Sequence, residues 1–286
     1  MSPYIEVVIP TRNRSDLVVK KVLSLLEHPR VGEVIVVADG CTDDTVERLR
    51  GLDTDRVVVV PLAEHSGLPA ARNAGIRRTC REWVLLTDDD DVLSDNFIDE
   101  CLEVASAAQA DVVGAPWLHL GAGEDVRGAL ARTPRRGPGP EIDRPSTFPA
   151  SRWHTNIWFT PNMLISRRAA GLFFDESYRG NFYREDSDFI VRVARAGMNT
   201  VVAGNAYTYS DDRRAGGGIR RDTLNLRLRY EYWAVRNTVR FLLRHGTWLS
   251  KEGYGWPHAL FMQFAIKRAG LLLGGRVGTL LGRSDL

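Results

Sequence analysis

"EVIVVADGCTDDTVERLRGLDTDRVVVV", residues 33–60, sets two apolar, β-branched runs on either side of one short amphipathic segment. In "EVIVVAD" (33–39) and "RVVVVP" (56–61) the apolar residues are consecutive rather than alternating. That is the composition of strands covered on both faces. Between them "TDDTVERLRG" (42–51) has helical spacing, with Thr42 at an N-cap position and Gly51 where the helix can end. Two strands joined by a helix run parallel, because a crossover returns the chain to its starting edge. The alternation continues outward. "YIEVVIP" (4–10), "WVLLT" (83–87) and "DVVGAP" (111–116) read as strands. "SDLVVKKVLSLLEH" (15–28), "GLPAARNAGIRRTC" (67–80) and "SDNFIDECLEVASAA" (94–108) read as helices, with Ser15 and Ser94 at cap positions. The expected class is α/β, a mainly parallel sheet with helices on both faces.

Beyond this first part the pattern changes. Residues 121–150 are rich in Gly, Pro and Arg and predict a long loop, of the kind that forms a lid, binds a ligand or is disordered. Order returns with "NIWFTPNMLISRRAAGLF" (156–173) and a helix over 185–197, and a long helical stretch follows from about 219 to 245. We expect a catalytic domain over 1–212, divided into halves at 115, and a helical extension over 213–286.

At 286 residues, 44% hydrophobic and 26% charged, the chain is long enough to bury a full core. A net charge of +2 argues against nucleic-acid binding by bulk electrostatics. Cys41, Cys80 and Cys101 are odd in number and lack metal spacing, and so read as reduced thiols. The chain opens directly on a strand and has no apolar run of about 18 residues. A cytoplasmic protein is expected, at most peripheral at the inner face of the membrane. The contact would lie in 257–281, where Phe261, Phe264, Leu271 and Leu272 alternate with Lys267, Arg268 and Arg276.

In an open parallel sheet, ligands bind at the carboxyl ends of the strands. Four such ends carry polar clusters: "PTRNR" (10–14), "ADGCTDD" (38–44), "EHSGLPAARN" (64–73) and "TDDDD" (87–91). The last is the most demanding. Two carboxylates about 6 Å apart repel by roughly 3 kcal/mol at an effective dielectric near 20. Four in a row must be solvated, hold raised pKa values or face a cation. Hard oxygen ligands suit Mg²⁺ or Mn²⁺. A second acidic group, "REDSDFIVRVARAG" (184–197), opens a helix with Glu185, Asp186 and Asp188. Acids there stabilise the helix dipole, and one can also serve as a general base.

Taken in order, these motifs resemble family 2 glycosyltransferases of GT-A fold. The matches are the Pro-Thr-Arg-Asn opening, "VVADGCTDDT", "GLPAARNAGI", "DDDD" in place of the D-x-D motif, and "REDSDFIVRVARAG". The resemblance implies an inverting transfer from a UDP- or dTDP-type sugar donor to an acceptor hydroxyl, dependent on Mn²⁺ or Mg²⁺. Pro10, Thr11, Arg12, Asn13, Asp39, Gly67, Arg72, Asp88 and Asp89 would form the donor site. Asp88 and Asp90 would be the metal pair, Asp90 as the direct ligand. Asp89 and Asp91 would point the other way if strand alternation persists, as support or toward solvent. Asp186 would be the base, with Glu185, His154 and Trp158 at a small-molecule, glycan or lipid-linked acceptor. Asp188 and Arg192 would form a structural pair. Two departures stand out: Ala38 replaces an acid, and "AYTYSDD" (206–212) lacks a metal-binding histidine, which Asp211 or water would replace. Two rivals differ in class. A nucleotidyltransferase would need a Gly-rich loop that "IPTRNRSD" lacks. A cation-dependent sugar-binding module would leave the nucleotide-side motifs without purpose.

Overall fold

A computed structural model describes residues 5–121, 123–136, 148–149, 153–155, 162–210 and 223–272. The first elements follow the expected alternation: β1 (Ile5–Thr11), α1 (Ser15–Leu26), β2 (Val31–Asp39), α2 (Thr45–Arg50), β3 (Val57–Leu62), α3 (Leu68–Ile76), β4 (Trp83–Leu86), β5 (Asp91–Leu93), α4 (Phe97–Ala108) and β6 (Val112–Gly114). Then come α5 (Val126–Arg132), β7 (Arg135–Arg136), β8 (Phe148–Pro149), β9 (Trp153–Thr155), β10 (Met163–Ser166), α6 (Arg167–Ala170), α7 (Glu185–Arg195), β11 (Thr200–Ala203) and β12 (Thr208–Ser210). Two long helices follow, α8 (Leu224–Lys251) and α9 (Pro257–Leu272).

The main sheet has the order β3-β2-β1-β4-β10-β6-β11-β9. β3, β2, β1 and β4 are mutually parallel. Their carboxyl ends therefore lie on one edge. β10 runs antiparallel to β4, with Met163 opposite Leu86, so the residue before it, Asn162, arrives at that same edge. β12 pairs antiparallel with β5 and sets Ser210 opposite Asp91.

The core explains the alternation. Every residue of β1 is buried, and α1 covers the sheet with Val18, Val22 and Leu25, one face of a helix. α3 approaches the sheet so closely at Gly75 that a Cβ there would overlap Val8 Cγ1. A larger residue would force β1 and α3 apart.

The cap assignments need correction. α1 has no side-chain cap bond, and the Ser15 hydroxyl instead accepts from Arg48 at 2.9 Å. α2 begins at Thr45, whose amide is held at 3.1 Å by Asp43, while Thr42 pairs with Asn13. α4 begins at Phe97, and Ser94 Oγ accepts from the Tyr207 amide at 3.2 Å. Long-range partners took these hydroxyls from the local helix end. The expected loop 121–150 contains α5, capped by Asp125 Oδ1 accepting from Gly128 N at 2.7 Å.

The chain divides into two units, Met1–Ser177 with Glu185–Gly217, and Tyr178–Arg184 with Gly218–Leu286. In the second, α8 and α9 meet where Gly246 faces Pro257, and Asn237 Nδ2 donates to the Arg179 carbonyl at 3.0 Å. Phe264 of α9 is buried and Arg268 is ion-paired with Glu231. Two residues expected to face a membrane therefore turn inward. Among the described residues, no helix is long and apolar enough to cross a membrane.

Candidate active site

β4 ends at Leu86, and the chain turns at Asp89 and Asp90 before β5 begins at Asp91. Because the strand stops, its alternation does not carry through the acid run. Asp88, Asp90 and Asp91 each offer a carboxylate oxygen, all within 4.8 Å of one another. Asp91 therefore joins the cluster instead of pointing away. Its Oδ2 accepts from Asn162 Nδ2 at 2.6 Å, and Asn162 Oδ1 accepts from the Thr87 hydroxyl at 2.6 Å. Asp89 alone turns aside, buried rather than solvent-facing. It accepts from the Thr11 hydroxyl at 2.6 Å and from Arg14 at 2.7 Å.

Cations of the chain surround this turn. Arg14 also reaches Asp90 at 3.1 Å, and Lys21 of α1 donates to the Asp91 carbonyl. Burial pushes Asp89 up to about 6 against the pull of Arg14. Burial and then the Asp88 charge raise Asp90. Burial lowers Lys21 to about 8, although all four aspartates oppose it. Hard oxygens, close convergence, and two half-buried carboxylates on Asp88 and Asp90 fit a divalent cation that keeps further ligand positions for a phosphate.

Arg72 links this turn to α7. Its guanidinium is fully buried, donating to Asp88 Oδ1 at 2.8 Å and to Glu185 Oε1. The motif "PAARN" thus reaches Asp88 from behind, and Arg72 touches carboxylates instead of lying open to a nucleotide. The neighbouring Asn73 fixes the segment before α7, donating to the Phe174 carbonyl at 2.9 Å and accepting from its amide at 2.7 Å. Glu185 is likewise buried. Its Oε2 has no hydrogen-bond partner among the described residues. Burial pushes its carboxyl up to about 8; Arg72 pulls it down while Asp186 and Asp88 push it up. Asp186 is half-buried and accepts from the Ser187 amide at 2.6 Å. Asp188 and Arg192 pair at 2.7 Å, as expected, and Arg192 also donates to the Leu172 and Phe173 carbonyls.

The residues expected on the nucleotide side gather at the ends of β1, β2 and β3. Asp39 accepts from the Ser66 amide at 2.6 Å and the Gly67 amide at 3.0 Å, and lies 2.7 Å from His65 Nδ1. That grip draws the β3–α3 loop over Gly40, whose φ of +61° and 2.5 Å Cβ approach to the His65 backbone N leave no space for a side chain. Pro10 and Thr11 close β1, Arg12 is exposed, and Asn13, at φ 52°, accepts from the Thr42 amide at 2.8 Å. His154 lies on β9, opposite Val202. Four strand spacings separate β9 from β4, about 19 Å, so the backbone does not bring His154 to the acid cluster. Trp158 and Asp211 lie outside the described residues. Ser210, the last residue of β12, stands beside the cluster, its hydroxyl donating to the Asp90 carbonyl at 3.3 Å.

Sequence reasoning left out Arg14, Lys21, Asn162 and Ser210. Arg14 and Lys21 are seven residues apart, two helical turns, and thus share a face. Four adjacent acids needed such a basic face nearby, and that signal was available.

Residues 6–171 match the family model described as "Glycosyl transferase family 2". The succinoglycan biosynthesis protein ExoO of Rhizobium meliloti (strain 1021) is 31% identical over 111 residues, 38% of this chain and 32% of that protein. The chain spans about a third of the length of such curated relatives. Among solved structures, the mannosyltransferase PcManGT from Pyrobaculum calidifontis, in complex with GDP-Man and Mn²⁺, aligns at TM-score 0.59 and 17% identity, covering 85% of this chain and 65% of that one. TarS 1-349 of S. aureus, in complex with UDP, aligns at TM-score 0.52 and 20% identity, covering 72% and 60%. Those likenesses establish the expected GT-A fold. With the family model spanning more than half of its length, the chain belongs to glycosyl transferase family 2.

Proposed function

We propose that this chain is an inverting, metal-dependent glycosyltransferase that moves a sugar from a nucleoside-diphosphate donor to an acceptor hydroxyl. The observation that carries the reading is the convergence of Asp88, Asp90 and Asp91 within 4.8 Å at the sheet edge, joined through Arg72 to the helix that begins with Glu185 and Asp186. The complexes of PcManGT with GDP-Man and Mn²⁺ and of TarS with UDP support a nucleotide-linked donor and a divalent metal. The narrower choice of uridine or thymidine rests on the family resemblance alone.

Asp90 and Asp88 would hold Mn²⁺ or Mg²⁺, with Asp91 behind them. The ion, when bound, supplies positive charge where the departing β-phosphate gains negative charge. Asp186 takes the proton of the acceptor hydroxyl, and that oxygen attacks the anomeric carbon from the face opposite the diphosphate. The anomeric carbon–oxygen bond breaks, nucleoside diphosphate leaves with the bonding pair, and the configuration inverts. Arg72 acts as a positioning residue, fixing Asp88 against Glu185 so that metal site and base keep one spacing. Asp39 shapes the floor for the base through the Ser66 and Gly67 amides. A glycan or lipid-linked acceptor is favoured, in keeping with a relative named for succinoglycan biosynthesis.

A donor-hydrolysis screen over UDP-, dTDP- and GDP-sugars, with Mn²⁺, with Mg²⁺ and with EDTA, tests this. Turnover of one donor class, abolished by EDTA, is expected. Full turnover in EDTA overturns the metal dependence, and no turnover or binding of any donor overturns the transferase reading.

A further inference from the structure

α8 carries a surface that the proposed reaction does not use. Leu224, Leu228, Tyr232, Val235, Val239 and Leu243 are its exposed large hydrophobic residues, with Leu224 at 69% and Leu243 at 84%. At about 100° per residue, all six fall within an arc of about 100°, in a stripe about 29 Å long. Ala234, Asn237, Phe241 and His245 fill the opposite face. Thr238, Leu249 and, within the arc of the stripe, Leu242 and Gly246 are also buried, so the open stripe ends at Leu243, before the Gly246–Pro257 contact. Asn237 bonds the Arg179 carbonyl, and Trp233 lies where a side chain at Gly180 would be. The stripe is thus a second apolar face.

The charge beside it has one sign. Arg229, Arg236, Arg240, Arg244 and Lys251 are all exposed and lie within about 80° of arc along one flank of the stripe. The acid within α8, Glu231, lies across the stripe on the other side, paired with Arg268. On α9, Met262 and Ile266 are exposed one turn apart. Apolar stripe and cationic flank together match an interface with an apolar interior and an anionic rim.

We propose that α8 docks this protein onto an anionic phospholipid bilayer, its apolar stripe entering the headgroup boundary and the Arg/Lys flank meeting lipid phosphates. The expected contact through 257–281 is thereby moved largely to α8. This inference goes beyond the transferase reading, since docking requires neither donor nor metal.

The test is co-sedimentation of the full chain, without nucleotide or metal, with vesicles of phosphatidylcholine alone and with about one third phosphatidylglycerol. Binding to the mixed vesicles alone is expected, weakening as salt rises from about 0.1 to 0.5 M as the Debye length shortens. Arg229→Gln/Arg244→Gln/Lys251→Gln should lower partitioning on the order of a hundredfold, each cation contributing about fivefold. Leu228→Ser/Tyr232→Ser/Leu243→Ser should abolish it with an unchanged melting temperature. If that triple variant does not fold, the wild-type salt and lipid dependence decides. No binding by wild type to either vesicle, binding indifferent to lipid charge, or a stripe-dependent dimer in solution without vesicle binding overturns the proposal.

Discussion

Arg72→Met removes the guanidinium that joins Asp88 to Glu185 while keeping most of the side chain's length. Arg72 is fully buried and touches both carboxylates. Its loss leaves Asp88 without its counter-charge and the buried Glu185 Oε1 without its hydrogen-bond donor, and each unmet group costs about 1–3 kcal/mol. At about 4 kcal/mol, the melting temperature should fall by roughly 10 °C for a domain of this size. The pH dependence sharpens the test. Folded Glu185 sits at about 8 against an ordinary 4.5, so between those values the folded chain binds more protons than the unfolded one. Stability of the wild type therefore falls as pH rises through that window and levels off above about 8. In the variant the downward pull of Arg72 is gone and the carboxyl moves higher still, so its decline continues past pH 8. The deficit should widen by about 1.4 kcal/mol per pH unit above 8. Urea unfolding at pH 7, 8 and 9 measures it. A loss below about 1 kcal/mol, with no widening at pH 9, would refute this account of the Arg72 bridge.

Asp186→Asn should reduce turnover by about a hundredfold or more while donor affinity, measured calorimetrically, stays near wild type, because the proposed base acts on the acceptor. Collapse of donor affinity would instead place Asp186 at the donor or metal site. Gly75→Ala should destabilise by about 1–3 kcal/mol in chemical unfolding, since its Cβ meets Val8 in the sheet. Unchanged stability would mean that α3 can slide outward without cost.

The buried strands were legible because consecutive β-branched residues have few other uses, and β1 to β4 lie where those runs stand. The antiparallel β10 was harder. "MLIS" is four residues with no alternation, and its direction depends on pairing with Leu86 and Gly114, which only the assembled sheet reveals. The site was legible as residue types and less so as roles. The acid run announced itself, yet Asp91 joined the cluster because β4 ends at Leu86, a boundary that apolar periodicity leaves open. Arg72 and Glu185 were expected at donor and acceptor, but burial joined them to each other. Thr42, Ser15 and Ser94 looked like caps because hydroxyls before a helical pattern usually are. Partners distant in sequence, Asn13, Arg48 and Tyr207, took them instead.

The central claim is that the carboxylates at the end of β4 hold the metal through which a nucleotide-linked donor is bound. Thermal unfolding of wild type and Asp90→Asn, with UDP, dTDP or GDP in Mn²⁺ or in EDTA, tests it most directly. At a nucleotide concentration about 100 times the dissociation constant, the wild type should gain about 2.7 kcal/mol of stability from one nucleotide in Mn²⁺. It should gain nothing in EDTA, and Asp90→Asn should gain nothing in either. Equal stabilisation of wild type in Mn²⁺ and EDTA, or full stabilisation of Asp90→Asn, would contradict the account.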